Sequence, residues 1–132
     1  MARYYLFNGS YDHLMNGIEN GFVQQRYKNR FNNVIKGDYV VFYATRLNYH
    51  TKVPYRKFIG IGRISDDQII EVPHGANMYY RMMVNFKKYK ERDLKSIIRK
   101  LSFIKNKKYY GMYFIRGKRE ITKEDYDVIA AR

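Results

Sequence analysis

The residue types that most often carry chemistry are sparse in this chain and stand apart. Its histidines are His13, His50 and His74, with neither the HxH nor the HExxH spacing that brings two imidazoles to one metal. Cysteine is absent, which excludes a disulfide scaffold and a thiolate metal site. A nucleophile would have to be Ser, Thr, Lys or a carboxylate, yet neither a GxSxG elbow nor a phosphate-binding P-loop occurs. Gly60-x-Gly62 is no dinucleotide fingerprint, because an apolar strand pattern runs through it and no third glycine opens a helix. Asp66-Asp67 is an adjacent carboxylate pair, but neighbours in a turn point apart, and a solvated turn is the better reading. The sequence predicts no catalytic residue, no metal and no cofactor.

Binding chemistry is better supplied. Lys and Arg number 26 against 12 Asp and Glu, a formal charge of +14 on 132 residues. Such a charge costs self-repulsion and concentrates polyanions, of which nucleic acid is the commonest in a cytoplasm; an acidic protein complex is the plainer alternative. Aromatics make up 17% of the chain, fifteen Tyr and eight Phe with no Trp. Basic side chains supply the salt-dependent phosphate contribution, and aromatic rings stack on unpaired bases for about 1–3 kcal/mol each. Asn8, Asn48 and Thr45 could read base edges. Apolar patterns assign Phe31, Phe42, Tyr80, Phe86, Phe103 and Tyr126 to a core. Phe7, Phe22, Tyr43, Tyr49, Tyr55 and Phe58 lie at strand ends or in polar loops and are freer. A disordered basic tail is excluded by 45% hydrophobic content. No run approaches the ~18 apolar residues of a membrane span. The opening Met-Ala-Arg-Tyr-Tyr-Leu-Phe is too short for a signal-peptide core, so a cytoplasmic protein is expected, with one domain over residues 1–132.

The elements that must position these residues can be read in outline. Residues 3–7 form an aromatic strand, ended by Asn8-Gly9-Ser10. Ser10 is placed to cap a helix through Asn20, carrying Leu14, Met15 and Ile18, with Gly21 as its stop; Gly17 weakens it. The spacing of Tyr27, Phe31, Val34 and Ile35 predicts a helix over about 24–34, with Arg26 and Arg30 one turn apart beside Lys28. Residues 39–44 form a strand without alternation, which is expected to be covered on both faces. A polar loop over 46–56 follows, then a strand over 58–64 whose two glycines clear one face. Residues 78–86 alternate, Tyr80, Met82, Val84 and Phe86 inward and Tyr79, Arg81, Met83 and Asn85 outward. Asp93 caps a short helix carrying Leu94, Ile97, Ile98 and Leu101, and 109–115 reads as another strand. Thr122 with Asp125 approximates a capping box, and Ile121 with Tyr126 a hydrophobic staple, opening a final helix toward Ala131. Five or so strands without regular βαβ alternation give an α+β fold, a small curved sheet or barrel with short helices.

Taken in order, these segments resemble the EVE domain, a PUA-like fold related to the YTH and ASCH domains. The resemblance runs through Tyr4-Tyr5-Leu6-Phe7, Glu19-Asn20-Gly21-Phe22-Val23, Lys36-Gly37-Asp38-Tyr39-Val40-Val41-Phe42-Tyr43 and Phe58-Ile59-Gly60-Ile61-Gly62. Its most specific stretch is Leu101-Ser102-Phe103-Ile104-Lys105-Asn106-Lys107-Lys108, followed by Arg119-Glu120-Ile121-Thr122 and Glu124-Asp125-Tyr126. The resemblance implies a PUA-like pseudo-barrel of about five to six strands with short helices around it, and a pocket between barrel and helices suited to a modified or flipped base. In YTH relatives that pocket is an aromatic cage. Val23 falls where the family typically has a pocket tryptophan, so Phe22 or Tyr27 would have to substitute. Asn8, Phe22, Val23, Tyr43, Thr45 and Phe58 are the expected pocket residues, with Arg26, Lys28, Arg30 and Arg46 on flanking phosphates. The expected partner is RNA or DNA, single-stranded or with a flipped base, bound by a non-enzymatic module. ASCH-type relatives carry the alternative, a nucleoside-like small-molecule binder or hydrolase with a Lys or Tyr at work. A third reading is a protein-interaction domain whose basic side meets an acidic partner.

Overall fold

Aromatic and β-branched runs dominate the chain, and most of them become strands. The computed structural model describes residues 1–115 and 117–131. Among these, in chain order, come β1 (Tyr4–Ser10), α1 (Tyr11–Asn20), β2 (Phe22–Gln25), β3 (Tyr39–Arg46), β4 (Pro54–Ile64), β5 (Ile70–His74), β6 (Asn77–Lys87), β7 (Arg92–Asp93), α2 (Leu94–Ile97), β8 (Lys118–Ile121) and α3 (Lys123–Ala130). Short 3₁₀ turns occupy Lys28–Phe31, Ile98–Lys100 and Tyr110–Phe114. The strands follow the order β2-β6-β4-β3-β1-β8, with β5 added to β6 and β7 to β4. Only β1 and β3 are parallel along that path. This mixed sheet curls into a half-barrel with short helices around it, the PUA-like α+β architecture expected from the sequence.

The strand without alternation is buried on both sides. Val40, Phe42 and Ala44 join Tyr5, Phe7, Leu14, Val23 and Met82 in one core. Val41 and Tyr43, on the other face, join Leu6, Phe58, Leu94, Leu101, Ile104 and Phe114 in a second. Gly60 and Gly62 show why side chains had to be absent there. A Cβ on Gly60 would lie 2.7 Å from Ile18 of α1, and one on Gly62 would lie 2.5 Å from the Asn85 carbonyl of β6. Helix and strand therefore close directly onto β4.

Three expectations are corrected. The segment over 24–34 is not a helix: its start is β2, paired with β6 through Phe22↔Met83 to Gln25↔Tyr80, and its middle is a single 3₁₀ turn. Phe31 and Val34 are buried as the periodicity implied, but Tyr27 and Ile35 face solvent. Four ladder pairs outweigh a helix that would have aligned the like charges Arg26 and Arg30. Residues 109–115 are not a strand either. The free edge of β1 is taken by β8, so the segment coils into a 3₁₀ turn that buries only Phe114 deeply. The loop predicted over 46–56 is shorter, since β3 runs to Arg46 and β4 begins at Pro54.

Capping was read well at the C-terminal helix. Thr122 Oγ1 accepts the Asp125 N–H at 3.1 Å. Asp125 is itself buried and accepts both the Ser102 N–H (2.8 Å) and the Ser102 hydroxyl (2.7 Å), tying α3 to the turn after α2. Asp125→Ala removes both acceptors and should cost about 1–2 kcal/mol. The expected readout is a lower urea midpoint at unchanged slope; an unmoved midpoint would refute the role.

Candidate nucleic-acid interface

Because β1 and β3 are parallel, their C-terminal residues arrive together, Asn8, Gly9 and Ser10 beside Arg46. The β2–β6 ladder brings Arg26 and Tyr27 next to Asn77 and Tyr79, and α1 contributes Asp12 and His13. Tyr49 and His50, after β3, and His74, ending β5, complete the rim of a cleft of about 830 Å³.

Arg26 is held in this cleft by hydrogen bonds, and Arg46 rests against one ring. Arg26 donates to the Met78 carbonyl (3.0 Å) and to Asn77 Oδ1 (2.9 Å). Its guanidinium lies 5.5 Å from the Tyr27 ring and 5.7 Å from the Tyr79 ring. Arg46 lies 5.5 Å from the Tyr49 ring. Tyr27 and Tyr49 are 59% and 72% exposed, so each keeps much of its ring surface for a ligand. His13 Nε2 contacts the Gln24 carbonyl at 3.0 Å and must donate to it, while His74 meets the Tyr79 ring edge-on. Asp12 is the acidic residue among the described lining. The Ser10 hydroxyl donates to its Oδ1 at 2.6 Å and holds the carboxyl below the ordinary carboxylate range. That hydrogen bond replaces the Ser10 cap expected for α1: the serine side chain caps nothing directly, and Asp12 Oδ1 takes the His13 N–H instead.

The sequence-predicted residues separate into two groups. Asn8, Arg26 and Arg46 line the cleft together. Thr45 stands beside it, donating to the Gly9 carbonyl at 3.3 Å. Tyr43 and Phe58 are elsewhere, buried in the second core with the Tyr43 ring stacked 4.0 Å from Phe114. Burial pushes the Tyr43 phenol up, so it stays neutral. Val23 is buried in the first core, and Phe22 is buried beneath the Arg81 guanidinium, 3.9 Å from its ring. None of these four lines the cleft. Lys28 is exposed on the 3₁₀ turn, and Arg30 turns toward Gly117; neither lines it. Tyr79, Asn77 and all three histidines were not foreseen here. The alternation of β6 did place Tyr79 outward, whereas nothing in their spacing joins the histidines. Among the described residues no group of His, Cys, Asp and Glu has the convergence to hold a metal.

The arrangement combines fixed cations, exposed π-faces and hydrogen-bonding groups in a space large enough for one nucleotide. The comparisons with known proteins agree with the fold. The family model described as EVE domain matches residues 3–132. The chain is 32% identical over 123 residues to the UPF0310 protein in gntR 5'region of Bacillus licheniformis, covering 91% of this chain and 84% of that one. It is 33% identical over 115 residues to a UPF0310 protein of Pyrococcus abyssi, 81% of each chain. Among solved structures, the N-terminal domain of Staphylothermus marinus McrB superposes with a TM-score of 0.65 at 12% identity, covering 100% of this chain and 95% of that one. At that identity the likeness is one of fold.

Proposed function

This chain belongs to the EVE domain family, and from that premise we propose that it is a nucleic-acid-binding module that takes one unpaired or flipped nucleotide into the cleft. The observation that carries the proposal is the pairing of Arg26 with Tyr27 and Tyr79, and of Arg46 with Tyr49, around one cavity on a +14 chain. The arginines take phosphates, and the exposed rings take a base face. Gln24 and Asn77 provide amide groups at the base edge, and a modified base is read by how it fills the space beside them. With Val23 buried and tryptophan absent, Tyr27, Tyr49 and Tyr79 supply the rings that an aromatic cage needs. A hydrolytic reading built on a lysine would need it to face a carboxylate inside the cleft. The described lining has no lysine, and Asp12 is committed to Ser10 and His13.

The test is a titration of single-stranded DNA and RNA 12-mers, with unmodified and modified bases, at about 50 and 200 mM salt. Micromolar binding that weakens steeply with salt, and separates at least one base from the rest, is expected. Salt-independent affinity, or equal weak binding to every oligonucleotide, would overturn the reading.

A further inference from the structure

Joined to this cleft through Asn8, one short turn and its flanks present apolar side chains to solvent. Met112 and Ile115 are 59% and 78% exposed, and Tyr109, just before the turn, is 62% exposed. Single exposed apolar residues are ordinary on a monomer, but three within seven positions in and beside one turn call for an explanation.

The turn is tied to the cleft from beneath. Asn8, which lines the cleft, donates its side-chain N–H to the Phe114 carbonyl (2.7 Å) and its backbone N–H to the Gly117 carbonyl (3.1 Å). Phe114 anchors the inner side by stacking on Tyr43. Ile115 therefore stands next to residues fixed to the cleft floor, not on an independent loop.

Its surroundings are cationic. Met112 and Ile115 share a second recess, of about 810 Å³, with Lys118, Arg119 and Glu120. The Arg119 guanidinium is set 5.5 Å from both the Phe103 and Tyr113 rings. Lys105, Lys107 and Lys108 precede the turn and are exposed, and no Asp or Glu occurs between positions 94 and 119. An apolar tip flanked by cations complements a surface whose exterior is phosphate and whose interior is stacked rings. That surface is a nucleic-acid duplex.

Building on the reading of the cleft as a nucleotide site, we propose that Met112 and Ile115 are a wedge. In a DNA or RNA duplex they enter the base stack and fill the gap left when the neighbouring nucleotide turns out into the cleft. Apolar side chains inserted between base steps are an established way for proteins to offset unstacking.

The experiment compares Kd for one 20-residue strand alone and in a duplex with a single mismatch, as DNA and as RNA. The proteins are wild type, the double variant Met112→Ala with Ile115→Ala, and Ile115→Leu. Both positions are exposed, so the variants keep the wild-type urea midpoint. The double variant should lose about tenfold in affinity for the mismatched duplex, with the single strand unchanged within about twofold and Ile115→Leu keeping wild-type duplex binding. Equal losses on strand and duplex, or no loss on either, overturn the wedge. So does a wild-type dimer in sedimentation that the double variant dissolves, because the patch would then serve self-association. Failure of wild type to bind the single strand at all would instead remove the underlying reading of the cleft.

Discussion

Gly17→Ala should weaken the fold by about 2–3 kcal/mol, the cost of overpacking at a site that cannot yield. Two effects compete there. Alanine is the better helix former by up to about 1 kcal/mol, and Gly17 lies within α1, so propensity alone predicts stabilisation. Against this, a Cβ at Gly17 would lie 2.3 Å from the Phe22 carbonyl oxygen, a contact that real Cβ atoms essentially never make. That oxygen belongs to the first residue of β2, and Phe22 is already in register with Met83. The chain reverses between them at Gly21, with φ of 78° and its N–H donating to the Gly17 carbonyl at 2.7 Å. Neither helix nor strand can retreat without giving up this turn or the ladder, so the clash wins. A urea midpoint lower by about 1–1.5 M is expected for the variant at a slope near 2 kcal/mol/M. A raised midpoint would show that propensity decides and that α1 is free to move. Since β2 leads directly into Arg26 and Tyr27, the same variant should also bind single strands more weakly.

Gly17 also marks where the sequence was legible and where it was not. As a residue type it reads as a flaw in a helix; its reason is a carbonyl on the following strand, which only the fold supplies. Local signals sufficed for β1, for α1 stopped at Gly21, for the alternation of β6 and for Thr122 capping α3. They failed over 24–34, where Tyr27, Phe31, Val34 and Ile35 imitate a helical stripe. The winning interactions there are the β2–β6 ladder pairs, among them Gln24↔Arg81, 57 positions apart, where Arg81 Nε also donates to Gln24 Oε1 at 2.6 Å. In the proposed cleft Asn8, Arg26 and Arg46 come together, and the sequence singled them out because their chemistry suits a polyanion wherever they lie. Tyr43 looked available because it ends an apolar run, yet that run, lacking alternation, already implied burial on both faces. Its ring belongs to the second core for the same reason that Val41 does. The histidines are the opposite case. Their convergence depends on the parallel pairing of β1 with β3 and on the β5–β6 hairpin, and no spacing encodes either.

Replacing Arg26 and Arg46 together by alanine should reduce single-strand affinity about a hundredfold at low salt and flatten the salt dependence by about 1.4 in log–log slope. The slope is the sharper part of the prediction. Each phosphate neutralised on a single strand contributes about 0.7 to it, so two lost contacts predict the figure directly. Arg26 is pre-set, and Arg46 is biased toward the cleft by one ring. Arg26 is fixed by Met78 and Asn77 with further N–H donors left over, and Arg46 is set over Tyr49. Little side-chain entropy is then lost on binding, which is why two arginines should matter more than their share of the charge. The double substitution removes only two of 26 basic residues. If binding came from the general field of a +14 protein, replacing the exposed Lys87 and Lys88 should weaken it equally, and that pair is the control. Equal losses from both pairs would mean that the charge acts as a whole and that the cleft has no special hold on phosphate. Tyr27→Ala separates the remaining contribution: affinity should fall about tenfold with the slope intact, because a stacking ring neutralises no phosphate. A change in slope from Tyr27→Ala would mean that Arg26 depends on that ring for its position, and that cation and ring act as one unit.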